Sequence, residues 1–286
     1  MRIFSAFRLV IPVALFGVLA APPVLADALD QIEESGVIRL GVREASAPFS
    51  YRDENGEPAG LAIALCKRVA DSIAARLGRE SLALEFVTVD SETRFDALLD
   101  GRVDLHCGPM TASLSRRETL DFSIPYFMDG IGAALRRDGV QEIEALAGEP
   151  VGALNGTTGV AMARHWGEPG GSPIIEFESH RKGLEALGRG EIDVYFGDQG
   201  LLLHQLDVLK REDRLIPIRV IEDQFSYEPY SLAMKAGERR LRLEVDRGLS
   251  TAFLDRTVFD DIDVALGEFQ LSELAAFLYV LVALPE

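Results

Sequence analysis

Short apolar runs alternate with longer amphipathic stretches along most of the chain. Runs of four to six mainly apolar residues predict β-strands, and stretches in which apolar residues recur every three or four positions predict helices. Alternation of the two is typical of an α/β fold with largely parallel sheets. The predicted strands cover residues 37–42, 82–87, 103–107, 151–154, 174–177 and 192–196, and the predicted helices include 61–77 and 91–99.

One supersecondary unit occurs twice, at an offset of 89 residues. Each copy reads as a helix, a glycine turn and a buried strand that ends in glycine, which predicts two equivalent lobes. A generic helix-glycine-strand joint would give the same pattern. The matched residues are Ala97, Leu98, Gly101, Val103, Asp104, Leu105 and Gly108 in the first copy, and Ala186, Leu187, Gly190, Ile192, Asp193, Val194 and Gly197 in the second.

Two such lobes imply a cleft between them. Ligands of open α/β sheets bind outside the carboxyl ends of the strands, so the residues that follow each predicted strand are the candidates for a site. These segments are 43–46, 108–111, 155–158 and 197–199.

The first 26 residues have the features of a secretory signal peptide. Arg2 and Arg8 precede an apolar run at 9–21, and the small residue Ala26 offers a cleavage point, so we expect the mature chain to begin at Asp27 and to be exported. An uncleaved membrane anchor is the alternative, although 13 residues are fewer than the roughly 20 that span a bilayer.

Charge and composition exclude several classes of function. The chain carries 46 acidic and 29 basic residues, a net charge of -17, and both bases of the first 26 residues are lost on cleavage, leaving -19. We therefore expect no nucleic-acid partner. Two cysteines and four histidines are too few for a closed structural zinc site, and we expect no metal or other cofactor.

The two cysteines, Cys66 and Cys107, allow a single pairing. Export permits a disulfide between them, whereas two small buried thiols are the alternative.

A hydroxyl and a guanidinium close in sequence suggest an anion site. Thr111 precedes Arg116, and a helix starting there would add backbone N–H donors for a carboxylate. The alternative is a surface arginine paired with Glu118 or Asp121.

Two further segments at predicted strand ends carry polar groups. The turn 155–159, with Thr157 and Thr158, suits an anion but lacks the lysine of a nucleotide-binding P-loop, and it could also be a plain capping turn. Asp198 can pair with a ligand ammonium or cap a helix starting near Gly200.

Together these motifs resemble family 3 of the periplasmic solute-binding proteins, which deliver amino acids to ABC importers, and most of all their glutamate/aspartate-binding branch. Arg43, Arg94, His180 and the segment 156–158 match that branch, whereas Pro109 and Asn155 depart from it. The family motifs are 41–44, 48–51, Gly56, 60–61, Ser91, 93–94, Gly101, 103–105, 107–108, Thr111, Arg116 and 121–123.

The resemblance implies a role for each matched residue. Arg116 and Thr111 would hold the ligand α-carboxylate, Asp198 would hold the ammonium, and Thr157 and Thr158 would close from the second lobe. Gly108 would belong to the same ligand-binding loop. The side-chain carboxylate would meet Arg43, Ser91, Arg94 and His180.

The expected fold is the two-lobed type II periplasmic binding protein fold, in which each lobe is a mostly parallel sheet flanked by helices and the chain crosses the hinge twice. Residues 27–131 and 232–286 would form lobe 1 and residues 132–231 lobe 2. We expect a monomer that is not an enzyme, closes on an L-amino acid and docks on a membrane permease. The alternative is a periplasmic cyclohexadienyl (prephenate or arogenate) dehydratase-like enzyme on the same fold. The apolar run 274–284 is expected to pack on lobe 1, a membrane or partner contact being the alternative.

Overall fold

Two mixed β-sheets form the centres of two lobes in the computed structural model, which describes residues 27–139, 142–146, 148–212, 217–266 and 273–285. The predicted signal peptide, residues 1–26, lies outside the described residues.

The chain builds the first lobe, crosses to the second and returns. The first lobe begins with α1 (Ala28–Ser35), β1 (Val37–Val42), β2 (Ala45–Ser46), β3 (Ser50–Arg52), β4 (Pro58–Ala59), α2 (Leu61–Arg76), β5 (Ala83–Thr88), α3 (Thr93–Leu99), β6 (Leu105–Cys107) and β7 (Leu120–Phe122). After β8 (Phe127–Asp129) come β9 (Ile131–Arg136), β10 (Val151–Leu154), α4 (Thr158–Gly167), β11 (Ile174–Phe177), α5 (His180–Arg189), β12 (Val194–Asp198), α6 (Gln199–Arg211) and β13 (Ile218–Val220) of the second lobe. The return runs through β14 (Glu228–Tyr230) to β15 (Ala233–Lys235), α7 (Arg239–Leu254), α8 (Thr257–Leu266) and α9 (Glu273–Val282).

The two sheets have equivalent topologies over the described residues. Their strand orders are β5-β1-β6-β15-β7 and β11-β10-β12-β9-β13. Each copy of the repeat predicted from sequence is a helix followed by a strand. The first copy is α3 and β6 of the first lobe, and the second is α5 and β12 of the second lobe. Gly101 and Gly190, which join helix to strand, both have positive φ, at 68° and 75°. Equivalent lobes, predicted from this repeat, are confirmed.

The prediction of largely parallel sheets holds for three strands of each sheet. β1 pairs parallel with β5 and β6, and β10 with β11 and β12. The remaining strands, β15 and β7 in one sheet and β9 and β13 in the other, pair antiparallel. Most of them are three residues long, too short to give a periodic signal.

The disulfide prediction is confirmed. Cys66 on α2 and Cys107 at the end of β6 are bonded, with their Cα atoms 6.1 Å apart. Leu65, Val69 and Ile73 of the same helix are fully buried in the first-lobe core. The bond therefore ties a core helix to the strand that leads into the cleft.

The last helix, α9, packs on the first lobe, as predicted. The Tyr279 side chain is buried, its ring contacts Phe253 and Phe259, and its hydroxyl donates to the Tyr126 carbonyl at 3.0 Å. Across the described residues, no helix combines the length and apolarity needed to cross a membrane.

The chain crosses between the lobes twice. β8 and β14 pair antiparallel, and their register places Asp129 opposite Glu228 and Phe127 opposite Tyr230. Phe49 of the first lobe packs edge-on against both aromatic rings. These paired crossings supply Tyr230 to the cleft lining and bring the carboxylates of Asp129 and Glu228 near Asp198.

Candidate ligand-binding site

A narrow cleft lies between the carboxyl ends of the two sheets. Its lining consists of Arg43, Ser46, Arg94, Pro109, Thr111, Arg116, Leu154, Thr157, Thr158, His180, Asp198, Leu201 and Tyr230.

Eight of the ten residues predicted from sequence to bind ligand line this cleft. They reach it because they follow strands or begin helices at the same edge of each sheet: Arg43, Arg94, Thr111 and Arg116 from the first lobe, and Thr157, Thr158, His180 and Asp198 from the second. The structure thus brings residues 155 positions apart in sequence, Arg43 and Asp198, to one cavity.

Ser91 and Gly108 do not line the cavity. The Ser91 hydroxyl donates to Oδ1 of Asn155 at 2.9 Å, across the cleft. Gly108 packs beside the Arg43 side chain, because a Cβ at this glycine would lie 3.0 Å from Arg43 Cγ. Gly108 therefore makes room for Arg43.

Backbone carbonyls hold two of the three cleft arginines. Arg94 donates from Nη1 to the Pro109 carbonyl at 2.9 Å and from Nη2 to the Gly156 carbonyl at 3.1 Å. Arg116 donates from Nη1 to the Thr111 carbonyl at 3.0 Å and from Nη2 to the same Gly156 carbonyl at 3.3 Å. The ring of Phe95 lies beneath both guanidiniums, 5.0 Å from Arg94 and 5.4 Å from Arg116.

The three cleft arginines lack a carboxylate partner within 4.0 Å among the described residues. Burial lowers the pKa of Arg43 to about 10 and lowers the pKa values of Arg94 and Arg116. Arg43 and Arg116 also lower the pKa of Arg94 by repulsion between like charges. Three cations without paired acids, of which Arg43 and Arg94 are buried and Arg116 is half-buried, form a site that favours anions.

Arg116 lies in a single 3-10 turn, Arg116–Glu118. The helix start predicted near Thr111 is therefore wrong, because the chain turns into β7 after three residues. Arg116 also forms no ion pair with Glu118 or Asp121 within 4.0 Å, so the surface-pair alternative is not what is observed; Asp121 instead faces Arg242 at 3.7 Å.

Asp198 ends β12, where its pairing with Ile131 holds it at the cleft edge. It precedes α6, yet its side chain makes no capping hydrogen bond, and its buried Oδ1 has no hydrogen-bond partner among the described residues. Burial, reinforced by the carboxylates of Asp129 and Glu228, raises the pKa of Asp198 to about 7. A positive ligand group beside Oδ1 would restore its charged form.

The carboxylates of Asp129 and Glu228 accept hydrogen bonds from neighbouring donors. Asp129 accepts from Gly130 N–H at 2.8 Å and from the Tyr230 hydroxyl at 3.3 Å. Glu228 accepts from the hydroxyls of Ser226 at 2.6 Å and Thr158 at 3.0 Å. Asp198 is thus the carboxylate of the three that remains available to a ligand.

His180 begins α5 and is buried in the cleft wall. Its Nδ1 lies 3.2 Å from the Tyr195 hydroxyl, whereas Nε2 has no hydrogen-bond partner in the part of the chain that the structure describes. Burial, with a further contribution from Arg43, lowers the pKa of His180 to about 3. The imidazole is therefore neutral near pH 7, and if Tyr195 donates to Nδ1, its Nε2 carries the proton and can donate to a ligand.

The second-lobe turn after β10 is held by Thr157. This residue occupies the N-cap position of α4, but its hydroxyl donates back to the Leu154 carbonyl at 2.6 Å and makes no capping hydrogen bond. The plain capping turn considered from sequence is therefore not observed. Both Thr157 and Thr158 face the cavity.

Sequence reasoning missed part of the lining. Ser46, Leu154, Leu201 and Tyr230 line the cavity without a recognisable motif, and Phe95 supports two arginines from a helix. The alternation of strands had pointed to segment 43–46, which contains Ser46. Tyr230 lies on a three-residue strand that periodicity could not detect.

The site combines three cations, one available carboxylate, two threonine hydroxyls and a neutral histidine. Such a set can bind a small molecule that carries both anionic groups and one cationic group. Among the described residues, no group of three or more histidine, cysteine or acidic side chains is arranged to hold a metal ion.

Known proteins resemble this chain along most of its length. The family model of bacterial extracellular solute-binding proteins, family 3, matches residues 38–260. The L-glutamate/L-aspartate-binding protein of Pseudomonas aeruginosa is 28% identical over 248 residues, covering 84% of this chain and 81% of that protein. A glutamine-binding protein of an ABC transporter from Bacillus subtilis is 28% identical over 226 residues and covers 78% of both chains.

Solved structures share the fold. The cysteine-binding protein from Campylobacter jejuni has a TM-score of 0.74 at 25% identity, covering 88% of this chain and 98% of that chain. An ancestral amino acid-binding protein, a precursor of cyclohexadienyl dehydratase, has a TM-score of 0.71 at 24% identity, covering 83% and 98%. The two-lobed fold predicted from sequence is confirmed, and the chain belongs to family 3 of the bacterial extracellular solute-binding proteins.

Proposed function

We propose that the protein is the amino-acid-binding component of an ABC importer and that it binds glutamate or aspartate between its lobes. The convergence of Arg43, Arg94 and Arg116 on a cleft with one available carboxylate, Asp198, carries this proposal. An acidic amino acid has two carboxylates and one ammonium, which is the complementary set of charges.

Each group of the ligand has a proposed partner. Arg116 and Thr111 hold the α-carboxylate, and Asp198 holds the ammonium. Arg43, Arg94 and His180 hold the side-chain carboxylate. Thr157 and Thr158, whose hydroxyl protons are donated to the Leu154 carbonyl and to Glu228, offer acceptor oxygens from the second lobe. Neutral His180 adds a directional donor without adding a fourth cation.

Hinge closure is the proposed mechanism. Lobe 1, residues 27–131 and 232–286, and lobe 2, residues 132–231, move about β8 and β14. The ligand favours the closed state because it bonds to both lobes at once. The closed protein, a monomer exported to the periplasm by the signal peptide 1–26, then docks on its membrane permease.

Calorimetric titration of the mature protein, freed of bound ligand by unfolding and refolding, tests this function. We expect L-glutamate or L-aspartate to bind more tightly than L-glutamine or L-arginine. Tightest binding of a neutral or basic amino acid would refute the acidic specificity, and no binding of any amino acid would refute the receptor function.

A dehydratase-like activity is the second candidate, and the raised pKa of Asp198, about 7, favours it by supplying a proton donor in the cleft. Incubation with prephenate or arogenate, followed by ultraviolet detection of the aromatic product, tests it. Product formation that Asp198→Asn abolishes would support the enzyme, and no product from either compound would exclude it.

A further inference from the structure

Two loops from opposite lobes touch across the cleft. Ser91, which follows β5 in the first lobe, donates its hydroxyl proton to Oδ1 of Asn155, which follows β10 in the second, at 2.9 Å. Ser91 is 1% exposed, and the Asn155 backbone is fixed by its N–H bond to the Phe177 carbonyl at 3.0 Å. The bond therefore joins two loops that follow strands of different sheets.

The next residue, Gly156, connects this contact to the ligand-binding arginines. Its carbonyl accepts from Nη2 of Arg94 at 3.1 Å and from Nη2 of Arg116 at 3.3 Å. One second-lobe carbonyl thus holds two first-lobe guanidiniums, and its position fixes the direction in which both present their remaining N–H groups.

The close approach of the two loops requires glycine at position 156. Gly156 has φ +64°, and a Cβ there would lie 2.5 Å from the Ser91 carbonyl oxygen. No side chain larger than hydrogen fits at position 156 while the loops are in contact, because it would meet backbone atoms of Ser91, which have little freedom to move.

We propose that Asn155 and Gly156 form an interlobe latch, in which the Ser91–Asn155 hydrogen bond sets the Gly156 carbonyl that orients Arg94 and Arg116. Asn155 is a positioning residue, and Ser91 acts through Asn155 rather than on the ligand. The latch rests on the proposed function for the identity of its ligand, but its contacts are between parts of the protein.

A double-mutant cycle with L-glutamate as the probe tests the hydrogen bond. We expect Asn155→Ala and Ser91→Ala each to weaken binding about tenfold, mainly through faster dissociation, since each removes the same buried bond. The double variant should be no weaker than either single variant, and Asn155→Asp, which keeps the acceptor oxygen, should restore most of the affinity. Additive losses, or a Ser91→Ala loss that does not depend on residue 155, would overturn the latch.

Small-angle scattering of the protein, without ligand and with saturating L-glutamate, tests the steric part. Gly156→Ala should increase the radius of gyration of the closed protein, because a methyl group at position 156 keeps the loops apart. Gly171→Ala is the matched control: Gly171 also lies in the second lobe, with φ +76°, but among the described residues no atom lies within 4 Å of an added Cβ. Equal radii for the two variants under both conditions would overturn the latch.

The two tests separate the latch from the function. Wild-type protein that binds no amino acid would refute the proposed function, while the scattering comparison would still decide the latch. Wild-type protein that binds L-glutamate with an affinity unchanged by Asn155→Ala would refute the latch alone.

Discussion

Asp129 and Glu228 lie opposite each other on the two strands that connect the lobes, and together they raise the pKa of Asp198 beyond the effect of burial. Burial, with a further contribution from these two hinge carboxylates, thus raises the pKa of the carboxylate proposed to receive the ligand ammonium to about 7. We therefore expect ligand binding to depend on pH.

We predict that affinity for L-glutamate increases as pH rises through about 7, where Asp198 loses its proton. Only the ionised form attracts an ammonium, so affinity should fall by up to about tenfold per pH unit below that value. His180, whose pKa of about 3 keeps it neutral, should not contribute. Titration calorimetry between about pH 5.5 and 8.5 measures the dependence.

Asp129→Asn serves as the control for this dependence. Removing one like charge lowers the pKa of Asp198, so the loss of affinity should begin at a lower pH, while Arg116 and Glu228 keep their places around it. An affinity that stays constant across this range in the wild type would contradict the role assigned to Asp198.

Arg116→Ala should weaken binding of L-glutamate by about 2–5 kcal/mol, because it removes one partner of a buried ion pair with the α-carboxylate. Arg117→Ala is the matched control on the same turn, since Arg117 is exposed and stacks on Phe122 outside the cleft. Calorimetry should find its affinity close to that of the wild type. Equal affinities for all three proteins would remove Arg116 from the site.

Arg43→Met should reduce the affinity for L-glutamate more than the affinity for L-glutamine. Methionine keeps an unbranched stem but removes the charge, so L-glutamate should lose about 2–5 kcal/mol of binding free energy and L-glutamine much less. Arg52→Met removes a half-buried guanidinium that pairs with Glu44 and is not part of the cleft lining, so it should alter neither. A parallel loss for both amino acids would assign Arg43 to a group that the two ligands share.

Loss of the disulfide should destabilise the first lobe. Cys66 and Cys107 are separated by 41 positions. A disulfide that closes a loop of this length lowers the entropy of the unfolded chain and so stabilises the native state by roughly 3–4 kcal/mol. Cys66→Ala with Cys107→Ala should therefore lower the melting temperature, and dithiothreitol should lower that of the wild type but leave the variant unchanged. A variant that melts with the wild type would show that the bond contributes little stability.

Much of the fold could be predicted from local sequence patterns. The repeated helix-glycine-strand unit predicted two equivalent lobes, because a buried strand beside a glycine turn requires the same pattern of apolar residues in both copies. Strand ends then located most of the cleft, since parallel strands deliver their following residues to one edge. The antiparallel strands β7, β13 and β15 escaped prediction because three residues give no measurable period.

The partners of individual side chains could not be predicted in this way. Ser91 was expected to meet the ligand, but its hydroxyl faces Asn155, a choice that depends on how closely the lobes approach. Phe95 and Tyr230 enter the site through packing between elements that are distant in sequence. The spacing of residues along the chain does not predict contacts between segments that are distant in sequence.

The most direct test of the central claim is the thermal unfolding of ligand-free mature protein with each of the twenty amino acids. A ligand at one hundred times its Kd stabilises the native state by about 2.7 kcal/mol, which raises the melting temperature by several degrees. We predict that L-glutamate or L-aspartate gives the largest rise and that Arg116→Ala strongly reduces it. No rise with any amino acid, or the largest rise with a neutral or basic one, would contradict an acidic amino-acid site formed by Arg43, Arg94 and Arg116.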